Sequence, residues 1–289
     1  MMDFTTRILN CIPSRNTEFD WTFDDATDAA LLDAAPTVPE SKDLRELWWE
    51  VDDQGETGSC VGWAAANSLL RWHYVKSGLL PAFERLSARY VWMASKETDM
   101  FTSYPTTFIE NAGTSIKVAL DIARKFGVVP ESVLPFRHGG MYSGRPNSFY
   151  ALAARFKISG YFSLGVDLAR WREWLAFNGP ILTRLDVDDT WYQASANAGV
   201  LESYNKESAR GGHAVALVGY DNAGFIVRNS WGEKWGEAGF AHARDAYAEA
   251  ALLARNLACA TGRNRRAPRT SGKLTSGVGT RHQPCLPRS

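Results

Sequence analysis

No two of the four cysteines, Cys11, Cys60, Cys259 and Cys285, stand in a CxxC pair or at the spacing of a Cys/His ligand set. This argues against a zinc site and against a dense disulfide framework, and it favours a reducing compartment. Net charge is missing as well: 32 lysines and arginines face 32 aspartates and glutamates, so overall charge does not draw the chain to nucleic acid, to a membrane surface or to a strongly charged substrate. No apolar run approaches the roughly 20 residues of a membrane helix. The opening MMDFTTRILNCIPSR has no apolar core of signal-peptide length. The expectation is a cytoplasmic protein with no membrane or nucleic-acid partner and no metal or cofactor; the oligomeric state stays open.

Charge of one sign is absent locally at each end. Residues 16–40 hold seven acidic side chains and no lysine or arginine, and PTVPESKD then supplies two prolines and turn residues. Residues 1–42 therefore read as an acidic lead-in arm. From Arg263 onward there are seven basic residues, no acidic ones and little that could form a core. Residues 259–289 are expected to be a basic, disordered tail, a solubilising end rather than an RNA-binding one. The whole chain is 45% hydrophobic, enough for a sizeable core, and residues 43–258 between the two ends are read as the domain that holds it.

That central stretch changes character halfway. VGWAAANSLLRWHYVKSG, LSARYVWMASKE and TSIKVALDIARKFG place apolar residues at three- and four-residue spacing, and the first and third end on glycines suited to helix caps, Gly78 and Gly127. The second half reads as strands: GPILTRLDV, HAVALVGYDNAGFIVRNSWG with a turn at Asp221 to Gly224, and GFAHARDA. DAYAEAALLARNLA returns to helical spacing. The fold class is α+β: a helical lobe at about 54–130 packed on an antiparallel lobe at about 155–245, with a cleft at the seam.

Cys60 sits in QGETGSCVGWAAANS, at the start of a helix and after a loop with two glycines. A lone cysteine is more often a small buried hydrophobe than a reactive group. At a helix N-terminus, however, unpaired N–H groups and the positive end of the dipole favour the thiolate. If the strands around Asp221 to Gly224 pair, His213 and Asn229 lie at the same end of the hairpin. Cysteine, histidine and a carboxamide so placed make and stabilise a thiolate–imidazolium pair.

QGETGSC, GGHAVALVGYD and VRNSWGEKWGEAGF, in the order Cys, His, Asn, resemble the papain family of cysteine peptidases. The resemblance implies a two-lobed papain-like fold. It implies Cys60 as nucleophile, His213 as general base and acid, Asn229 as the residue orienting the imidazole, and Gln54 as the oxyanion-hole side chain. Trp231 would shield the His213–Asn229 bond from water, and Gly113, Thr114 and Ala214 would contact the substrate. Two local positions depart from the family: Thr57 stands where secreted members carry a cysteine, and Val61 where they carry an aromatic. Asn111 stands at that cysteine's apparent partner position, so both halves of a disulfide are absent together. A long inhibitory pro-segment is also missing, as in bacterial members without secretion signals.

The other candidates are weaker. His73, His138, His242 and His282 show no partner pattern and read as packed or surface histidines. The tryptophans, among them Trp48, Trp49, Trp171 and Trp174, read as core rather than as a carbohydrate platform. Asp188 and Asp189 fit a loop. The function implied is an endopeptidase hydrolysing peptide bonds of a peptide or protein substrate through a Cys60 thioester. An isopeptidase or transamidase acting on one partner, or a non-catalytic peptide-binding protein, are the alternatives.

Overall fold

The computed structural model describes residues 3–29, 32, 37–99, 111–137 and 141–251, and the backbone of 257–260. Its first half is built on one buried helix, which runs with α geometry over Cys60–Trp63, as a π-helix over Ala64–Leu70, and as α again over Arg71–Lys76. Three successive alanines, Ala64 to Ala66, let this helix pass through the protein with every residue from Cys60 to Arg71 buried. It ends where Gly78 takes a positive φ of 74°, with Gly78 and Leu79 N–H groups returning to Val75 and Tyr74 carbonyls. Asn67 is held on both sides of its amide by the Leu86 backbone at 2.9 and 3.1 Å. Two further helices pack on it, Ala88–Thr98 capped by Ser87 and Ile116–Lys125 capped by Ser115.

The second half is a sheet with strands β1 (Lys42–Asp43), β2 (Gly160–Ser163), β3 (Ile181–Val187), β4 (Val200–Leu201), β5 (Gly211–Tyr220), β6 (Gly224–Arg228), β7 (Phe240–Arg244) and β8 (Leu257–Ala260). Their order is β2-β8-β3-β5-β6-β7-β4, with β1 on β5, and every pair is antiparallel except β4 with β7. β5 is buried along both faces, because the helix from Cys60 packs on one side and the helix Leu168–Phe177 on the other. Two apolar cores result. One holds Val61, Leu69, Leu120 and Ala214, and the other Trp171, Trp174, Val215, Trp231 and Trp235. This is the α+β, two-lobed arrangement that the papain-like resemblance implied.

Several local readings are corrected. The helix expected over DAYAEAALLARNLA is described only over Asp245–Ala251, and Leu257–Ala260 is a strand inserted between β2 and β3. Sheet pairing there overrides helical spacing. The boundary drawn at residue 258 thus falls inside β8, while 261–289 lie outside the described residues. Asp188 does not sit in an open loop. It is buried at the N-cap of the helix Asp189–Gln193 and accepts from the Thr190 hydroxyl at 2.6 Å, the Asn205 N–H at 2.7 Å and the Tyr247 hydroxyl at 3.2 Å. Among the described residues no helix is long and apolar enough to cross a membrane.

Candidate active site

The turn at Asp221 closes as its sequence implies: Asp221 N–H reaches the Gly224 carbonyl, and Asp221 Oδ1 accepts from the Ala223 and Gly224 N–H groups. β5 and β6 pair with Ala216 opposite Arg228. His213 and Asn229 therefore meet at the hairpin's open end, and His213 Nε2 lies 2.7 Å from Asn229 Oδ1. That contact leaves Nδ1 without a hydrogen-bond partner, with Cys60 close enough for the imidazole to favour its thiolate. Cys60 occupies the first turn of its helix, and the nearby Ala214 backbone N–H favours its thiolate.

Trp231 lies against the imidazole with ring centroids 5.1 Å apart, and Trp191 meets the same ring edge-on at 6.0 Å. Trp235 packs on Trp191 at 4.6 Å. His213, Asn229 and Trp231 are buried, so the His213–Asn229 bond is kept from water, where competing hydrogen bonds would weaken it.

Gln54 reaches the site through the segment before the helix. Its N–H bonds to the Ser230 carbonyl, and Asp53 pairs with Trp231, so the strand end that carries Asn229 also fixes Gln54. The Gln54 side chain is oriented twice: Nε2 donates to the Thr57 carbonyl at 2.9 Å, and Oε1 accepts from the Ser230 hydroxyl at 2.8 Å. One amide N–H remains for another acceptor. Arg228, next to Asn229, is fully buried and ties the end of β6 to the Trp49 and Glu50 carbonyls and to Ser68 on the helix.

The sequence model of the papain family cysteine proteases matches residues 38–261. The chain belongs to the papain family. Among curated relatives, a cathepsin L-like proteinase of Fasciola hepatica is 28% identical over 214 residues, covering 70% of this chain and 59% of that protein. Cathepsin K of Mus musculus is 28% identical over 228 residues, covering 76% and 60%. The chain thus spans about three fifths of these relatives' lengths. Among solved structures, xylellain, a cysteine protease from Xylella fastidiosa, superposes with a TM-score of 0.72 at 23% identity, covering 91% of this chain and 99% of that one.

In this papain-family member the cleft is filled by the chain's own N-terminal segment. Cys11 N–H donates to the Gly212 carbonyl at 2.9 Å, Ile12 N–H to the Thr114 carbonyl at 3.1 Å, and Arg184 Nε to the Cys11 carbonyl at 2.8 Å. Gly113 and Gly212 admit this backbone only because they lack side chains: a Cβ at either would strike Asn10 or Cys11. Further out, Phe4 stacks on Trp231 at 5.9 Å, Arg7 pairs with Asp53 at 2.5 Å, and Lys117 pairs with Asp20. As a result Cys60 and His213 are both 0% exposed. The residues expected to contact substrate, Gly113, Thr114 and Ala214, instead face or adjoin this segment.

The Cys11 thiol, whose hydrogen bond goes to the Ile12 carbonyl at 3.9 Å, lies close enough to Cys60 for the two sulfurs to interact. That interaction leads the influences holding Cys60 well below the ordinary thiol range; His213 and the Ala214 N–H add to it, and burial opposes them. Cys11 itself is pushed well above that range, by burial first and then by Cys60. Cys11, Arg184 and Trp191 carried no sequence signal, because what they touch is set only by tertiary contact, and Trp235, though inside VRNSWGEKWGEAGF, was given no role there.

The remaining candidates stay apart from the site. His73 is buried edge-on to Trp72, and burial pushes its pKa down to about 4. His242 does have a partner, Asp221, at 3.0 Å. His138 and His282 lie outside the described residues. The carbonyl of Asn111 abuts Gly58, so the two segments that a disulfide could have joined do meet here without one. Among the described residues no group of three or more His, Cys, Asp or Glu is placed to hold a metal ion.

Proposed function

We propose that this chain is a cysteine endopeptidase acting on a peptide or protein substrate, with Cys60, His213, Asn229 and Gln54 as its catalytic set. The observation that carries the reading is His213 held by Asn229 Oδ1 at 2.7 Å with Nδ1 free beside Cys60, which starts a buried helix. The thiolate attacks the scissile carbonyl. The developing oxyanion takes hydrogen bonds from the Cys60 backbone N–H and the free Gln54 amide N–H. His213 gives its proton to the leaving amine, then takes one from the water that hydrolyses the thioester. Asn229 keeps the imidazole pointed at the sulfur throughout. A pure peptide-binding protein has no use for a buried thiolate beside an oriented imidazole, and an isopeptidase or transamidase would use the same thioester on one partner.

The absent disulfide at Thr57 and Asn111 and the unpaired Cys11 and Cys60 support a reducing, cytoplasmic setting as part of this proposal. The test is cleavage of a mixed peptide library under reducing conditions, with products mapped by mass spectrometry. Peptides cut by the wild type and left whole by Cys60→Ala are expected; an identical product set from both would overturn the assignment.

A further inference from the structure

We infer that Cys11 and Cys60 form a modification site, a reversible disulfide made by exchange with a low-molecular-weight disulfide of the glutathione type, which fastens the N-terminal segment over the active centre. The inference rests on the proposal that Cys60 is the nucleophile. Geometry carries it: Cys11 is fixed by its own N–H on Gly212, the neighbour of His213, and by its carbonyl on Arg184, and it is buried with Cys60 in one apolar core, within interaction range of the Cys60 sulfur. Backbone hydrogen bonds alone would hold the segment whatever side chain stood at position 11, so the thiol adds a chemistry that the strap does not need for docking.

The exchange balances in two steps. With the segment lifted, the Cys60 thiolate attacks one sulfur of the small disulfide RSSR, forming Cys60–S–S–R and expelling RS⁻, which takes the proton held by His213. When the segment reseats, His213 accepts the Cys11 proton as the Cys11 sulfur displaces the second RS⁻ from Cys60, and that RS⁻ leaves with the same proton. Two protein thiols are oxidised, and RSSR is reduced to two RSH. The low thiolate pKa of Cys60 speeds the first step, and the seated geometry makes the second intramolecular, at a high effective concentration. Excess small thiol reverses both steps.

The experiment treats the full chain with glutathione disulfide, maps non-reduced peptides by mass spectrometry, and follows peptide hydrolysis before and after dithiothreitol. The expected result is a linked pair of peptides carrying Cys11 and Cys60, loss of hydrolysis, and recovery on reduction. In Cys11→Ser the linked pair is absent and Cys60 carries a stable glutathione adduct instead. A wild-type chain that also accumulates the glutathione adduct on Cys60, with no Cys11–Cys60 link, overturns the inference. Hydrolysis absent from the reduced chain while the link still forms would instead count against the peptidase reading, so the two failures are told apart.

Discussion

Cys60 is subject to opposing influences that would give different proteins if either acted alone. Burial at 0% exposure favours the neutral thiol, whereas the Cys11 thiol, His213, the Ala214 N–H and the helix start all favour the thiolate, and together they prevail. In the proposed mechanism Gln54 works on the other charge, the oxyanion, and its amide is already oriented by Thr57 and Ser230. Replacing Gln54 by alanine is expected to lower kcat by about 10- to 10³-fold with a smaller change in KM, read from steady-state kinetics. An effect confined to KM would mean that Gln54 only binds.

His73 provides a separate residue-scale test, of stability rather than activity. Its pKa is about 4 in the fold and about 6.5 unfolded, so between these values the unfolded chain binds the extra proton. Stability is therefore complete above about pH 6.5 and falls as pH drops toward 4, by about 3 kcal/mol in total. Denaturant unfolding of His73→Leu should show a shallower loss across that window; an unchanged slope contradicts the assignment. The proposed catalytic residues were legible because their types, order and glycine-rich context are set by the chemistry proposed for them. Cys11 was not, since nothing in TRILNCIPS shows what its thiol will touch.

At the scale of elements, the site depends on where two chain segments end. The helix begins at Cys60 and β6 ends beside Asn229, and Arg228 ties that strand end to the Trp49–Glu50 segment leading into Gln54. The three major helices of the first half and strands β3, β5, β6 and β7 were readable from spacing, because each has a buried face with a regular period. β8 was not, because the helical pattern of DAYAEAALLARNLA carries straight through four residues, LACA, that lack alternation and owe their strand to β2 and β3. A chain ending at Ala260 is expected to keep the full-length melting temperature. One ending at Ala251 leaves β2 without its neighbour and should melt lower by on the order of 5–10 °C. Equal melting of the two shortened chains would show that β8 adds nothing to the sheet.

The whole molecule combines two lobes, a cleft between them, and a segment of its own chain lying in that cleft. On the proposed function, turnover requires the segment to move, and its hold is spread over Phe4 on Trp231, Arg7 on Asp53, and the backbone bonds of Cys11 and Ile12. Phe4→Ala removes a buried ring, a change typically costing about 3 kcal/mol, and so shifts the balance toward the open form. The initial rate of peptide hydrolysis at low substrate should rise about tenfold or more, a factor that needs only ~1.4 kcal/mol of this. An unchanged or lower rate would mean that the segment does not limit access. None of this was visible in composition, where the acidic character of residues 16–40 marked an arm but not its path. The central claim, acyl transfer through Cys60, is tested most directly by quenching the steady-state turnover of an activated peptide ester in acid and locating the acyl group by mass spectrometry. The account predicts a thioester on the peptide carrying Cys60, absent in Cys60→Ala together with turnover; an acyl group on another residue, or wild-type turnover in Cys60→Ala, would contradict it.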